Sequence, residues 1–111
     1  MADKIPKELQ DKIQQLQLMQ QQLQMFSAQK QQFQLQQTEV ENAQEELKNA
    51  KSKTYKLVGE ILVEKTKTEL GKELEDKRKR LDLRVRAIEK QEKSIHERAM
   101  ELQEKLTKKL K

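Results

Sequence analysis

The chain has 111 residues, of which 33% are hydrophobic and 39% are charged, and it contains two Phe, one Tyr and no Trp. A compact globule is usually about half apolar, so the composition argues against one. The absence of cysteine excludes disulfides and thiolate metal sites. No apolar run approaches the roughly 18 residues of a membrane span, and the first 20 residues lack the apolar core of a signal peptide. These absences predict a cytoplasmic protein that binds no membrane.

The net charge of +5 is distributed unevenly along the chain. Residues 1–50 carry five basic and seven acidic side chains, a net charge of −2, whereas residues 51–111 carry nineteen and twelve, a net charge of +7. Segments of opposite charge attract each other, which favours pairing within one chain. The alternative is that the basic excess only forms a solvated helix face.

The first predicted element is a helical arm over residues 7–51. Apolar residues recur there with alternating spacings of three and four, which is the pattern of a coiled-coil seam. The first seam series is Met19, Phe26, Phe33, Val40 and Leu47, and the second is Leu9, Leu16, Leu23, Lys30, Gln37 and Gln44. The second series turns polar at its last three positions, which weakens the seam but helps to fix the register of the two helices.

The middle of the chain, residues 53–65, is predicted to form a β-hairpin. The segments on either side of Gly59 and Glu60 are rich in β-branched and aromatic residues. A two-residue loop suits this spacing, with Gly59 supplying the positive φ of a type II′ turn. The alternative is a helix that continues through Gly59.

An isolated two-stranded hairpin is marginally stable in water, and open strand edges with apolar side chains invite aggregation. The hairpin is therefore expected to pair with similar hairpins of other subunits and to close a sheet or barrel. The candidate oligomerisation residues are Tyr55, Leu57, Val58, Gly59, Ile61, Leu62 and Val63.

A second helical arm is predicted over residues 67–110. Thr66 and Glu69 match a capping box, in which Thr66 caps the helix and Glu69 reaches back to the Thr66 backbone amide. The seam series are Leu74, Leu81, Ile88, Ile95 and Leu102, and Val85, Ala99 and Leu106, with Arg78 and Glu92 at otherwise core-like positions. At ~1.5 Å per residue, each arm is about 60–70 Å long. Helices of this length must pair, and the short connection between them favours antiparallel pairing within the chain.

On these residues the chain resembles a prefoldin subunit of the β class found in archaea, over essentially its whole length. The most specific stretch is YKLVGEILV at residues 55–63, followed by the capped start of the second arm. The segments LDLR at 81–84 and IEKQE at 88–92 resemble the family's second helix, and the Gln-rich first arm is also typical. A single hairpin and a modest length favour the β class over the longer α class.

The resemblance implies one domain over residues 1–111, mainly α, in which an antiparallel two-helix coiled coil carries a central β-hairpin that joins an inter-subunit β-barrel. It also implies a hexamer of two α-class and four β-class subunits. Such chaperones work without ATP: they hold unfolded proteins between the coiled-coil tips and transfer them to a group II chaperonin. A passive oligomeric coiled-coil scaffold is the alternative function.

Apolar residues near both chain ends are candidates for binding unfolded proteins. Several of them lie outside the seam, so they stay partly exposed, and flexible Met side chains suit promiscuous contacts. The candidates are Ile5, Leu9, Ile13, Leu18, Met25, Met100, Leu106 and Leu110. A locally wider core is the alternative explanation.

A basic cluster on the second arm is the candidate for nucleic-acid binding, which requires grouped Lys and Arg. Its members are Lys77, Arg78, Lys79, Arg80, Arg84 and Arg86. The acidic residues around it are Glu73, Glu75, Asp76 and Asp82. They favour an ion-paired, solvated helix face, and we expect no nucleic-acid partner.

Other chemistry has little support in the sequence. The basic end at residues 108–111 is a weaker candidate for contact with an acidic partner. His96 is the only histidine and has no set of residues around it that could bind a metal. We therefore expect no cofactor and no enzymatic activity.

Overall fold

The computed structural model describes residues 6–110 and contains two helices and two strands. Helix α1 spans Lys7–Asn49, strand β1 Thr54–Val58, strand β2 Ile61–Lys65 and helix α2 Lys67–Leu110. The order helix, hairpin, helix agrees with the fold expected from the sequence. Helix α1 ends at Asn49, slightly before the predicted end of the first arm at residue 51.

The chain divides into two compact units, each of which contains part of both helices. The hairpin unit comprises Gln31–Arg86 and includes the β-hairpin. The terminal unit comprises the residues up to Lys30 together with those from Ala87 onward. The expectation of a single domain over residues 1–111 stays a prediction.

In the hairpin unit, the two helices run antiparallel and bury Val40, Leu81 and Val85. Gln37 Nε2 donates to Asp82 Oδ1 at 2.8 Å, and Gln44 Nε2 donates to Glu75 Oε2 at 3.1 Å. From Gln37 to Gln44 the chain advances seven residues along α1, while the bonded residue on α2 moves back seven, from Asp82 to Glu75. The two helices are therefore antiparallel.

In the terminal unit, the buried side chains are Leu9, Ile88 and Leu106. Lys30 Nζ lies 2.8 Å from Glu92 Oε1, and Lys109 pairs with Glu8 at the other end of the unit. Early residues of α1 therefore meet late residues of α2, so the helix segments are antiparallel in this unit as well. Two helices alone bury only a narrow stripe, and the remaining seam residues are half-buried.

The β-hairpin forms where the sequence predicts it. Strands β1 and β2 pair antiparallel in a register that places Leu57 opposite Leu62 and Val58 opposite Ile61. Gly59 has a φ of 62°, and it is the only positive φ among the described residues. The predicted positive φ at Gly59 is confirmed, and a helix running through this position is wrong.

Helix α2 begins one residue after strand β2 ends. The backbone amide of Glu69 donates to Thr66 Oγ1 at 3.1 Å, which confirms Thr66 as the N-cap. The described hydrogen bonds include none from the Thr66 backbone amide to the Glu69 carboxylate, so only half of the capping box forms. Lys67 Nζ donates to the carbonyl oxygens of Lys48 and Ala50, at 3.0 and 3.4 Å. This ammonium group satisfies carbonyls that the end of α1 leaves free.

Helices α1 and α2 are long, but they are strongly polar. Over the residues that the structure describes, neither contains an apolar stretch suited to crossing a lipid bilayer.

Candidate functional site

The β-hairpin exposes all six of its large apolar side chains. Leu57, Ile61 and Leu62 are 65%, 67% and 67% exposed, and Tyr55 and Val58 are about half exposed. Val63 is the most covered of the six, at 39%. Since buried apolar surface is what stabilises a sheet, this hairpin gains little stability from its own subunit.

The exposed side chains lie on both faces of the hairpin. Directly opposite residues share a face of an antiparallel sheet, so Leu57 and Leu62 lie on one face, and Val58 and Ile61 lie on the other. The sheet of the described residues has two strands. Both outer edges therefore present backbone N–H and C=O groups without strand partners, which is the surface that another strand could extend.

A cleft of ≈ 800 Å³ lies beside β1, between the hairpin and the two helices of the hairpin unit. Leu47, Leu70 and Leu74 contribute apolar surface from the helices, and Tyr55 and Leu57 contribute it from the strand. The apolar surface of the hairpin therefore continues onto the adjoining helices.

Glu73 connects the hairpin to helix α2. Lys56 Nζ on β1 lies 2.9 Å from Glu73 Oε2, and Lys65 Nζ on β2 lies 3.2 Å from Glu73 Oε1. Hydrogen bonds from the two lysines hold the pKa of the Glu73 carboxyl below its ordinary value. In the sequence, Glu73 is one of the acidic residues around the basic cluster, and its spacing from the lysines does not indicate this contact. The alternating pattern of the strands could have placed Lys56 and Lys65 on one face, but it could not have identified their partner.

The polar seam positions of α1 each bond to a residue of α2. Lys30 pairs with Glu92, and the two glutamines bond to carboxylates, as described above. Arg78 lies in the same layer as those carboxylates and bonds to both: its Nε is 3.1 Å from Glu75 Oε2 and its Nη1 is 3.1 Å from Asp82 Oδ2. The hydrogen bond and charge of Arg78 lower the pKa of Glu75 to about 2.

The candidate client-binding residues fall into two groups by exposure. Leu18, Met25 and Met100 are 59%, 54% and 54% exposed, and Ile13 is partly exposed. Leu9 and Leu106 are buried in the seam of the terminal unit, at 8% and 6%.

The candidate set as a client-binding site stays a prediction, although its members differ in exposure. Leu9 and Leu106 continue the heptad series, so their position in the seam leaves them no free surface for a client in this conformation. Ile5 lies outside the described residues. Leu110 ends helix α2, but its side chain also lies outside the described part of the chain.

Two further exposed leucines were missed by the sequence analysis. Leu35 and Leu83 are 61% and 64% exposed, and both belong to the hairpin unit. The signal that identified Leu18, an apolar residue outside the seam, applies to both of them. Both lie far from the chain ends, where the candidate client-binding residues were expected.

Two members of the basic cluster make contacts within the hairpin unit. Arg78 is held by Glu75 and Asp82, and the Arg84 guanidinium carbon lies 5.5 Å from the centre of the Phe33 ring, a cation–π distance. The ion pairs of Arg78 agree with the expected ion pairing of this face, and the expectation of no nucleic-acid partner stays a prediction. His96 is exposed, and the described residues contain no group of three His, Cys, Asp or Glu suited to a metal ion.

Similar proteins are known for most of the chain. A family model described as prefoldin subunit matches residues 10–111. The prefoldin subunit beta of Methanococcus maripaludis is 46% identical over 54 residues, which are 49% of this chain and 48% of that protein. The prefoldin subunit beta of Archaeoglobus fulgidus is 40% identical over 52 residues, 47% of this chain and 45% of that protein. The matched stretch thus spans about half the length of these archaeal relatives.

The likeness to a solved structure is more extensive. The crystal structure of the prefoldin beta subunit from Thermococcus strain KS-1 has a TM-score of 0.92 and 36% sequence identity, and the match covers 99% of this chain and 98% of that one. The helix–hairpin–helix order, the matched family model and this structure agree with one another. The chain therefore belongs to the prefoldin subunit family.

Proposed function

We propose that this chain is a β-class subunit of an ATP-independent molecular chaperone. In this proposal the hairpin assembles the complex, the terminal unit captures unfolded proteins, and the complex transfers them to a group II chaperonin. The proposal includes a cytoplasmic location and contains no catalytic step. The observation that carries it is the hairpin with six exposed apolar side chains and two free edges.

The hairpin supports assembly because it is unsuited to remain alone. Its exposed apolar side chains would be buried, and its free edges paired, if hairpins of neighbouring subunits joined it in a closed sheet. We propose a hexamer of two α-class and four β-class subunits, in which the hairpins form a β-barrel. The cleft beside β1 would add helix surface to the same interface.

The terminal unit supports client capture because apolar side chains stand outside its seam. Leu18 and Met25 are seven residues apart on α1, so they lie on one face of that helix, and Met100 adds an exposed thioether on α2. Unbranched, polarisable Met adapts to varied partners. Unfolded chains expose varied apolar segments, so an adaptable apolar surface suits them better than a shaped pocket.

The first experiment is co-expression with an archaeal α-class subunit, followed by native mass spectrometry of the purified complex. The proposal expects an intact hexamer with four copies of this chain. Replacing Val58 and Ile61 by Asp should abolish assembly, because charged side chains at the turn end of the hairpin cannot be buried against a neighbour. A simple dimer of this chain that forms equally well with these substitutions would favour the passive scaffold.

The second experiment tests chaperone activity of the assembled complex. A chemically denatured client is diluted into buffer, and its light scattering is followed with equimolar complex and no nucleotide. The proposal expects suppressed aggregation, followed by recovery of client activity when a group II chaperonin and ATP are added. Aggregation at the rate seen without the complex would contradict the proposal.

A further inference from the structure

The hairpin is held against the helices by short connections and by side-chain contacts. Strand β2 joins α2 through Thr66 alone, and β1 joins α1 through residues 50–53. The backbone ladder of the hairpin lies between its own two strands. Beyond these connections, the contacts that hold the hairpin against the helices therefore come from side chains.

Within the described residues, the ion pairs between the hairpin strands and the helices converge on one carboxylate. Glu73 receives Lys56 from β1 on one oxygen, at 2.9 Å, and Lys65 from β2 on the other, at 3.2 Å. Glu73 lies in the second turn of α2, the helix that directly follows the hairpin. One group thus connects both strands to one helix.

The two lysines lie on the same face of the hairpin. Lys65 is opposite Thr54, and Thr54 and Lys56 are two residues apart on β1, so all three share a face. The opposite face, with Tyr55, Leu57 and Leu62, carries no lysine and is at least half exposed. Glu73 therefore holds the lysine-bearing face of the hairpin, while Tyr55 and Leu57 of the other face line the cleft beside β1.

We propose that Glu73 is a positioning residue for assembly, which fixes the orientation in which the hairpin is presented to neighbouring subunits. This inference rests on the proposed role of the hairpin in assembly. A misoriented hairpin would have to be reoriented each time a neighbour binds, and that reorientation would weaken assembly.

The expected size of the effect follows from the exposure of the ion pairs. The Glu73 and Lys56 side chains are 40% and 45% exposed, so solvent screens the pairs, and their loss costs roughly a factor of two in an equilibrium for each copy of the chain. Several copies of this chain enter one complex in the proposed hexamer, and the factors multiply. We expect Glu73→Gln to weaken assembly about tenfold.

The first test compares Glu73→Gln with Glu45→Gln, which removes the same charge from an exposed position of α1 in the same unit. Among the described residues, Glu45 makes no ion pair and does not line the cleft beside β1. Complexes with an α-class subunit are diluted at low and high ionic strength, and the intact fraction is measured by native mass spectrometry. At low salt, Glu73→Gln should weaken assembly, and at high salt its assembly should approach that of the unchanged protein. Glu45→Gln should assemble like the unchanged protein at both salt concentrations.

Rescue separates positioning from a general loss of stability. Reversing the charges with Glu73→Lys, Lys56→Glu and Lys65→Glu should restore assembly, while helix melting by circular dichroism stays similar in all variants. Assembly of Glu73→Gln with unchanged affinity and salt dependence would overturn the inference. A failed rescue in a folded triple variant would overturn it as well.

A measurement on the chain alone keeps the inference apart from the proposed function. Spin labels are attached to cysteines introduced by Glu60→Cys and Lys79→Cys. Pulsed electron paramagnetic resonance then measures the distance between the hairpin turn and α2. The distance distribution should be narrow in the unchanged background and broader with Glu73→Gln. Equal widths would contradict the role of Glu73, whereas a failure of the unchanged chain to assemble would contradict only the role of the hairpin.

Discussion

The two glycines of the chain differ in backbone conformation, so replacing each by alanine is expected to have a different effect. Gly59 has a φ of 62° in the hairpin turn, and an added Cβ there would meet no atom within 4 Å. Gly71 lies inside α2, where an added Cβ would lie 3.8 Å from Leu47 Cδ2, an ordinary packing distance. Space is available at both positions, so backbone conformation decides what a side chain does.

Replacing Gly59 by Ala is expected to destabilise the hairpin by about 1–2 kcal/mol, because L-residues rarely adopt this φ. Amide hydrogen exchange measures the effect in the strands, since the helices can stay folded while the hairpin opens. Protection should fall roughly tenfold at β1 and β2. Glu60→Ala is the matched control, because Glu60 has an ordinary φ, and equal losses in both variants would contradict the explanation.

Replacing Gly71 by Ala is expected to stabilise the protein by about 0.5–1 kcal/mol. Alanine is the better helix former by about that amount, and its methyl group would pack against Leu47 without a clash. Urea unfolding followed at 222 nm measures the change. An unchanged or lowered midpoint would contradict this expectation.

At the scale of the helices, the polar residues within the seam form specific hydrogen bonds. Gln37, Gln44 and Arg78 occupy heptad core positions, and each bonds across or along the seam to Glu75 or Asp82. A shift of one helix along the other would separate these groups, leaving half-buried polar atoms without partners. The pairs therefore favour one register, as the sequence analysis expected of polar core positions.

The contact between Glu75 and Arg78 also predicts that the stability of the protein depends on pH. The pKa of Glu75 in the folded protein is about 2, below its ordinary value of 4.5, so the charged carboxylate favours folding. Its contribution is complete above the unfolded pKa and is lost as the pH falls from about 4.5 to 2. Glu75→Gln should lower stability at pH 7 and flatten the decline in acid.

Urea titrations at pH 7, 4 and 3 measure this change. Glu75 and Arg78 are 40% and 38% exposed, so solvent screens the pair and the effect is moderate. Part of the decline remains in Glu75→Gln because the pKa of Glu73 is lowered as well. Glu45→Gln, an exposed carboxylate of α1 in the same unit, is the control and should leave the slope unchanged.

At the scale of the whole molecule, the exposed apolar residues fall into groups with different proposed roles. Those of the hairpin are candidates for assembly, and Leu18, Met25 and Met100 in the terminal unit are candidates for clients. Leu35 and Leu83 in the hairpin unit are equally exposed but have no proposed role. They therefore provide matched controls for client binding.

Replacing Leu18, Met25 and Met100 by Gln is expected to reduce suppression of client aggregation while leaving assembly intact. These side chains are more than half exposed, so each substitution should change folding stability by less than about 0.5 kcal/mol. Light scattering of a denatured client measures the suppression, and native mass spectrometry checks the hexamer. The control is the double variant Leu35→Gln and Leu83→Gln. An equal loss of aggregation suppression in this control would show that client binding is not confined to the terminal unit.

The elements and the seam can be predicted from the amino-acid sequence, because both depend on local patterns. The heptad spacing places Val40, Leu81 and Val85 in the core, and the propensities around Gly59 place the hairpin. The N-cap at Thr66 is local in the same sense, since donor and acceptor lie three residues apart. The resemblance at residues 55–63 then indicated the family that the comparisons confirm.

Contacts between distant parts of the chain depend on the folded structure. Glu73 receives lysines from both strands, and Arg84 lies over Phe33, because chain folding brings together residues whose spacing carries no signal of contact. Burial is decided in the same way: Leu9 and Leu106 looked like candidate client contacts, but the packing of the two helix ends in the terminal unit covers them. Periodicity gives the face of a helix on which a residue lies, whereas the partner helix determines how much of that face remains exposed.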